Sequence, residues 1–287
     1  MWGAATGDNA EDLASATREG LLCGTLARVG TGEEHSLAVE ALAAYLDGPG
    51  VLGVQIGDTG GEDAVRIVAF ARDTSRAIHL VHLSTAAELN LIDPVHGTLP
   101  VTAGCTPHHL FLSTEEADGV QVRTTPPVRP EHDRRTLWTA VKRGRLDCIA
   151  SDHHPGPRSD SASEGDGVPG SELLFPLMLS AVRYGRLSLE LLVNLCSESP
   201  ARIFGLESKG SVAKGKDADL ILFSEGEVTR VGEGDLMSGA GWSPYVHREA
   251  APKPDLVMVG GRIVSRRGKL VADAPGGKAV QLKEIAT

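Results

Sequence analysis

Short apolar runs of strand length alternate with longer stretches of helical spacing, and this alternation limits the fold more than any other feature. Residues 77–83 and 146–150 are short and apolar, and each is followed by polar residues, as in parallel strands buried on both faces. Residues 62–71 and 133–144 repeat their apolar side chains every three or four positions, as helices do. The pattern predicts an α/β fold with a parallel sheet, open or closed.

The same criteria extend the alternation along the chain. They predict a strand over 98–104 and helices over 36–46, 171–185 and 187–206. Residues 156–169 are rich in Gly, Ser and Asp and directly follow a predicted strand. A long loop in that position is more often an active-site or lid segment than a linker, with simple disorder as the alternative.

The pattern changes near residue 208. Residues 210–223 and 254–271 alternate apolar and polar side chains and turn on Gly-Gly and Arg-Gly, which predicts antiparallel strands of a small separate sheet. We therefore divide the chain into residues 1–207, the larger α/β part, and residues 208–287, a small β-sheet segment with a C-terminal tail.

Composition narrows the classes of function. The net charge of −10 argues against a nucleic-acid-binding surface. No apolar run approaches the roughly 20 residues that a membrane span needs, and the N-terminus lacks the features of a signal peptide. The cysteines have no CxxC spacing and indicate buried thiols in a reducing cytoplasm rather than a disulfide or zinc set: Cys23, Cys105, Cys148 and Cys196.

Polar side chains follow three of the predicted strands. His82 follows the first, Thr106–His109 the second and Ser151–Pro155 the third. In an α/β barrel, the carboxyl ends of the strands form the rim where active sites are built. A lone His or Asp there is more often structural, but three such strand ends within 73 residues favour a site.

The residue types suit a divalent metal and hydrolysis. Neutral imidazole ligates zinc well, and a carboxylate can ligate the metal and relay protons. A carboxylate beside a metal-bound water can take its proton and return it to a leaving amide nitrogen, and Asp152 is the best candidate for this role. The alternative is that Asp152 only caps the segment that follows it.

Seven motifs spanning residues 77 to about 264 resemble, in order, those of dihydroorotase, a family of the amidohydrolase superfamily. The versions of two of them, GVPGSE and GWSPY, are most similar to archaeal members. The motifs are IHLVHLST, TPHHLFL, TTPPVR, GRLDCIASDHHP, GVPGSELLFPLML, SPARIFGL with KGSVAKGKDADLILF, and GWSPY.

The resemblance implies a (β/α)8 TIM-like barrel, incomplete at its N-terminal strands, with a small C-terminal β-sandwich portion. It implies zinc-dependent hydrolysis of dihydroorotate to and from carbamoyl aspartate, in pyrimidine biosynthesis. His82 matches the metal-ligand histidine that ends strand five, and Asp152 the metal-bound catalytic aspartate of strand eight. Thr106–His109 match a motif that shapes the pocket, and GWSPY and 210–223 match the sandwich.

The chain departs from the family at the start of the barrel. The family begins its metal site with an HxH motif, and this chain contains none. A barrel of about 250 residues devotes roughly 31 to each strand–helix unit, so about 125 are expected before the fifth strand. Only 81 precede His82. We therefore expect the beginning of the barrel to be missing.

Further positions are substituted. A family histidine that ligates metal before an Ala/Cys-Glu-Asp segment aligns with Asn9, and a substrate-binding asparagine aligns with Thr125. A substrate-contacting histidine aligns with Gly156, where His154, two residues earlier, is a candidate substitute. Gly104 stands where the family carries glutamate. Thr125 and His154 are thus candidate substrate-binding residues, and these losses place independent catalysis in doubt.

Three hypotheses remain open from the sequence. The first is a cyclic-amide hydrolase acting on dihydroorotate, with missing ligands supplied from upstream sequence or another chain. The second is a non-catalytic scaffold subunit, for example in an assembly with aspartate transcarbamoylase. The third is an allantoinase or hydantoinase. A small cyclic amide is the expected ligand, and a homo-oligomer is the other expected assembly.

Overall fold

The computed structural model describes residues 2–4, 24–29, 42, 50–56, 61–115, 122–154, 167–224, 226–271 and 277. The predicted helix over 36–46 lies outside these residues except for Leu42, and the predicted loop over 156–169 is described only from residue 167. Among the described helices, none combines the length and the apolar character that a membrane crossing requires.

In the described part of the chain, six parallel strands form the main sheet, and their order in the sheet follows their order in the chain. They are β1 (Trp2–Ala4), β2 (Gly24–Val29), β3 (Val51–Ile56), β4 (Ile78–Val81), β5 (Val101–Cys105) and β6 (Cys148–Ile149). Every residue of β3 and β4 is buried, as expected for a parallel sheet covered on both faces. The predicted strands at 77–83, 98–104 and 146–150 are confirmed as β4, β5 and β6.

Helices connect and cover the strands. They are α1 (Gly61–Thr74), α2 (Ala86–Ile92), α3 (Pro107–Phe111), α4 (Glu131–Lys142), α5 (Ser171–Arg183), α6 (Leu189–Val193) and α7 (Ser199–Ile203). In α1 the fully buried residues Ala64, Ile67 and Ala71 recur at helical spacing and pack in the main core with Leu80 of β4. The helices predicted over 62–71, 133–144 and 171–185 are therefore confirmed.

The helix predicted over 187–206 is interrupted. A π-helical turn, Asn194–Glu198, separates α6 from α7. Gly205, with φ of 65°, ends the run, and the Leu206 amide donates to the Ala201 carbonyl across this turn. The segment is helical in character but not one regular helix.

A second sheet is antiparallel and lies late in the chain. It contains β7 (Leu220–Leu222), β10 (Leu256–Val259), β11 (Arg262–Arg266) and β12 (Lys269–Leu270) in the order β12-β11-β10-β7. The Gly260–Gly261 pair turns β10 into β11 as predicted, with positive φ at both glycines.

The strand predicted over 210–223 is wrong for its first ten residues, since only Leu220–Leu222 is a strand. Gly210 and Gly215 adopt φ of 88° and 93°, which break extended structure. Lys209 forms ion pairs with Asp217, at 2.9 Å, and with Asp219, so this segment folds back on the end of the helical part.

The GWSPY segment, 241–245, was expected to belong to the sandwich and is found elsewhere. It lies between β8 (Thr229–Arg230) and β9 (Glu249–Ala250), which form a separate two-stranded sheet. Tyr245 is fully buried in a cluster with Leu173 and Leu177 of α5, so the motif packs against the helical layer.

Candidate active site

The carboxyl ends of β4, β5 and β6 meet at one edge of the sheet, because the strands are parallel neighbours. This edge carries the side chains that the sequence singled out. His82 follows β4, and its Nε2 lies 3.4 Å from Oδ1 of Asp152, which follows β6. The structure therefore brings together two residues that are 70 positions apart in sequence, as predicted from their places at the ends of parallel strands.

Both residues have unusual backbone conformations. The φ angles of His82 and Asp152 are 58° and 46°, in the left-handed region that non-glycine residues rarely adopt. Such conformations cost on the order of 1–3 kcal/mol each and cluster at functional sites. The two strand ends are thus held in positions that aim one imidazole and one carboxylate at each other.

His108 lies behind this pair. Its Nε2 is 3.9 Å from Oδ2 of Asp152, beyond hydrogen-bonding distance. The side chain is buried, and burial lowers the pKa of His108 well below its usual range, with His109 and His82 adding to the effect. Its Nδ1 is buried with no hydrogen-bond partner among the described residues. His108 is therefore neutral.

His109 uses both ring nitrogens for structure. Its Nε2 lies 3.2 Å from the Pro126 carbonyl and 3.3 Å from the Pro127 carbonyl, and its Nδ1 lies 2.8 Å from the Thr106 hydroxyl. Because carbonyls only accept, Nε2 carries the proton and Thr106 donates to Nδ1. Burial lowers the pKa of His109 to about 3, with His82 acting in the same direction. This histidine therefore ties α3 to the segment that carries Pro126 and Pro127.

Thr125 is linked through its backbone carbonyl to β3, the strand next to β4. Its carbonyl accepts a hydrogen bond of 2.6 Å from Nε2 of Gln55, and the Thr125–Pro126 peptide is cis. Gln55 is buried in β3, opposite Val81 in the ladder, and so approaches the level of His82. Gln55 was not among the residues predicted from the sequence, although it is a lone polar residue in the apolar run VLGVQI.

The histidines after Asp152 are not brought into the pair. The side chain of His154 is exposed, and its backbone amide donates to the Val168 carbonyl. His153 instead accepts hydrogen bonds at Nδ1 from the amides of Gly170 and Ser171, at 3.2 and 3.3 Å, and so caps α5. Gly156 and Asn9 lie outside the described residues.

Tyr245, in the GWSPY segment expected to belong to the sandwich, is a buried polar group. Its hydroxyl has no hydrogen-bond partner among the residues described. Burial raises the pKa of Tyr245, Arg248 opposes the shift, and the Asp152 carboxylate adds to it. The phenol therefore stays protonated within electrostatic range of Asp152.

The residues described do not complete a metal site. No group of three or more His, Cys, Asp or Glu side chains among them is arranged to hold a metal ion. His82 and Asp152 supply two donors, whereas protein zinc sites generally use three or four protein ligands. The adjacent strand β3 presents the amide of Gln55, which is already bonded to Thr125. Zinc therefore does not fit this part of the chain by itself.

The fold and the site together define a class: an α/β protein with a parallel sheet and a His–Asp pair at the carboxyl ends of its strands. The family described as "Amidohydrolase family" matches residues 27–264, and the chain belongs to it. This membership confirms the predicted (β/α)8 TIM-like fold, of which six parallel strands are described here.

Curated relatives are dihydroorotases. The chain is 36% identical over 186 residues to a dihydroorotase of Halobacterium salinarum, covering 63% of this chain and 43% of that protein. It is 31% identical over 218 residues to one of Pyrococcus furiosus, covering 75% and 51%. The chain thus spans about half the length of the curated relatives it matches. The predicted dihydroorotase-like character is confirmed.

Solved structures share the fold. A D-hydantoinase from Thermus sp. superposes with a TM-score of 0.88 at 18% identity, covering 99% of this chain and 73% of that one. The inactive dihydroorotase-like domain of a CAD-like multifunctional protein of Chaetomium thermophilum gives 0.70 at 19% identity, covering 96% and 76%.

Proposed function

We propose that the chain is a dihydroorotase-like cyclic-amide hydrolase that interconverts dihydroorotate and carbamoyl aspartate. The observation that carries this proposal is the 3.4 Å approach of His82 Nε2 to Asp152 Oδ1, with both residues held in left-handed conformations. The identity with dihydroorotases supports the choice of substrate among cyclic amides.

In this proposal Asp152 moves the proton. Its carboxylate accepts the proton of a water molecule as the water attacks the ring carbonyl carbon. The ring C–N bond then breaks, and Asp152 returns the proton to the leaving amide nitrogen, so that one water is added across one bond. His82 orients the carboxylate, and neutral His108 lies 3.9 Å from its other oxygen without adding a charge.

The resemblance to dihydroorotases implies zinc, and the described residues alone do not provide a full set of zinc ligands. No step of the proposal passes through zinc, because the described residues supply only two donors. A zinc-dependent form of the enzyme would need further ligands from outside those residues or from another chain. Substrate binding by Thr125 and His154 is part of the proposal. The hydrogen bond from Gln55 to the Thr125 carbonyl supports the role of Thr125, because Gln55 lies in the strand next to β4.

A non-catalytic role is the second candidate, and a specific observation favours it. Gln55 places an amide, bonded to Thr125, at the strand end beside His82, and no three-donor group exists among the described side chains. The structural neighbour from Chaetomium thermophilum is itself an inactive domain of a multifunctional protein. By analogy, this chain would serve an assembly, with aspartate transcarbamoylase as the proposed partner.

The test uses the purified full chain. Dihydroorotate hydrolysis and carbamoyl aspartate cyclisation are measured with and without added zinc, next to hydantoin and allantoin as competing substrates, and bound metal is quantified by mass spectrometry. Asp152→Asn should reduce turnover by at least 100-fold. Asp93→Asn, at a half-exposed ion pair with Arg145, is the matched control and should retain it.

Folded, metal-free protein without turnover in any of these assays would overturn the enzyme proposal. Co-elution with aspartate transcarbamoylase would then support the scaffold role. Turnover on hydantoin or allantoin but not on dihydroorotate would instead move the assignment to those hydrolases.

A further inference from the structure

A cavity of about 930 Å³ lies apart from the His82–Asp152 pair and is rich in arginine. Neither residue of that pair lines it. It lies between the end of α3, the end of α5 and the β8–β9 hairpin. Five arginines contribute to its lining, against one carboxylate, that of Glu249: Arg123, Arg134, Arg186, Arg230 and Arg248.

The carboxylates near this cluster are bonded to groups other than Arg186 and Arg230. Glu131, outside the lining, accepts bonds of 2.5 and 2.7 Å from Arg134. Glu249 lies opposite Arg230 in the β8–β9 ladder, yet its carboxylate accepts a 2.6 Å bond from the Tyr184 hydroxyl. Within the described residues, no carboxylate lies within 4.0 Å of the guanidinium of Arg230 or Arg186.

The positive cavity contrasts with the rest of the molecule. The chain has 38 acidic and 28 basic residues, so a concentration of arginines is not what its composition favours. Arg186 is further oriented by stacking on Trp138, with its guanidinium carbon 5.5 Å from the ring centroid. An ordered guanidinium without a carboxylate is prepared to bind an external anion at low entropic cost.

The walls of the cavity add apolar and aromatic surface. Phe111, Val128 and Val246 line it together with Tyr184, which is 55% exposed. Small-molecule sites are commonly 300–1,000 Å³ in volume, mostly apolar, with a few placed polar groups. Arginine matches phosphate oxygens with paired hydrogen bonds, whereas apolar walls accommodate a ring.

We propose that this cavity is a binding site for a phosphorylated small molecule of up to nucleotide size, held by Arg186 and Arg230. The site is independent of the proposed hydrolase function, and either can fail without the other. The contribution of a nucleoside is distinguished from that of phosphate alone by comparing ATP with inorganic pyrophosphate.

Titration calorimetry of the full chain with ATP, pyrophosphate and adenosine tests the proposal. We expect saturable binding of ATP and pyrophosphate, no binding of adenosine, and weakening as salt rises. Arg186→Gln and Arg230→Gln should each weaken binding at least tenfold. Arg262→Gln, at the exposed first residue of β11 and outside the cavity, removes the same charge and should change binding less than twofold.

Circular dichroism and thermal melting establish that each variant is folded. Tighter binding of ATP than of pyrophosphate would assign the apolar walls to the nucleoside, and equal binding would assign the site to phosphate alone. Absence of saturable binding by wild-type protein, or equal weakening by Arg262→Gln, would overturn the proposal.

Discussion

The thiol of Cys148 lies 3.3 Å from Nε2 of His79, and the contact joins β6 to β4 beneath the candidate site. On the other side of the ring, Nδ1 lies 2.9 Å from the Thr102 hydroxyl, which itself donates to the Ile78 carbonyl. Thr102 therefore accepts from Nδ1–H, and Nε2 accepts from the thiol. Burial lowers the pKa of His79 to about 4 and raises that of Cys148 to about 12, so both groups are neutral.

This neutral pair predicts a loss of stability in acid. The folded-state pKa of His79 is below the unfolded value of about 6.5. The contribution of the neutral imidazole to the free energy of unfolding is therefore full above pH 6.5 and is lost as the pH falls towards 4. Below both values the loss is roughly 3 kcal/mol. The free energy of unfolding, measured with urea between pH 7.5 and 4, should fall as the pH falls. His79→Gln should reduce the slope of this pH dependence by about one proton taken up on unfolding.

His132→Gln, at a side chain that is 74% exposed, is the matched control and should leave the slope unchanged. His108 and His109 are also neutral and buried, so some pH dependence remains in every variant. An unaltered slope in His79→Gln would contradict the assignment.

The sequence predicted the alternation of elements because burial on two faces leaves a clear apolar run at each strand. It also predicted the meeting of His82 and Asp152, since parallel strands share an edge. It could not predict the His79–Cys148 contact, because its partners are 69 residues apart and only the strand register aligns them. Nor could it show that His153 caps α5, since nothing local links residues 153 and 170.

Gly104 is tightly enclosed by the same pair. A Cβ on Gly104 would lie 2.9 Å from Cys148 Sγ, 3.1 Å from His79 Nε2 and 3.2 Å from the Cys148 carbonyl. Gly104→Ala should therefore destabilise the protein by about 1–3 kcal/mol through overpacking. Chemical denaturation measures the change, and Gly239→Ala is the control because no atom lies within 4 Å of the added Cβ.

Truncating the thiol should relieve part of this strain. The double variant Gly104→Ala/Cys148→Ala should lose less stability than the two single changes added together, since one of the three contacts disappears. Strict additivity would show that the clash is with the His79 ring or the Cys148 carbonyl rather than with the thiol.

Glu88 closes the turn between β4 and α2 immediately after His82. Its buried carboxylate accepts hydrogen bonds of 2.8 Å from the amides of both Ser84 and Thr85, and Thr85 caps the helix in return. Glu88→Ala should cost about 1–3 kcal/mol by leaving two amides without an acceptor. Glu190→Ala, in the exposed first turn of α6, should leave the unfolding midpoint nearly unchanged, and an equal loss there would contradict this account.

Trp138 anchors α3, which carries His108, to α4. Its indole Nε1 donates to the Leu110 carbonyl at 2.6 Å, and its ring meets Phe111 edge-on at 5.4 Å. Trp138→Phe keeps most of the packing but removes the donor, so a buried carbonyl loses its partner, and we expect a loss of about 1–3 kcal/mol in denaturant unfolding. Phe111→Leu removes the ring contact and leaves the hydrogen bond, with an expected loss near 1 kcal/mol from the aromatic geometry. If Phe111→Leu proves the more damaging of the two, packing rather than the indole hydrogen bond holds α3 in place.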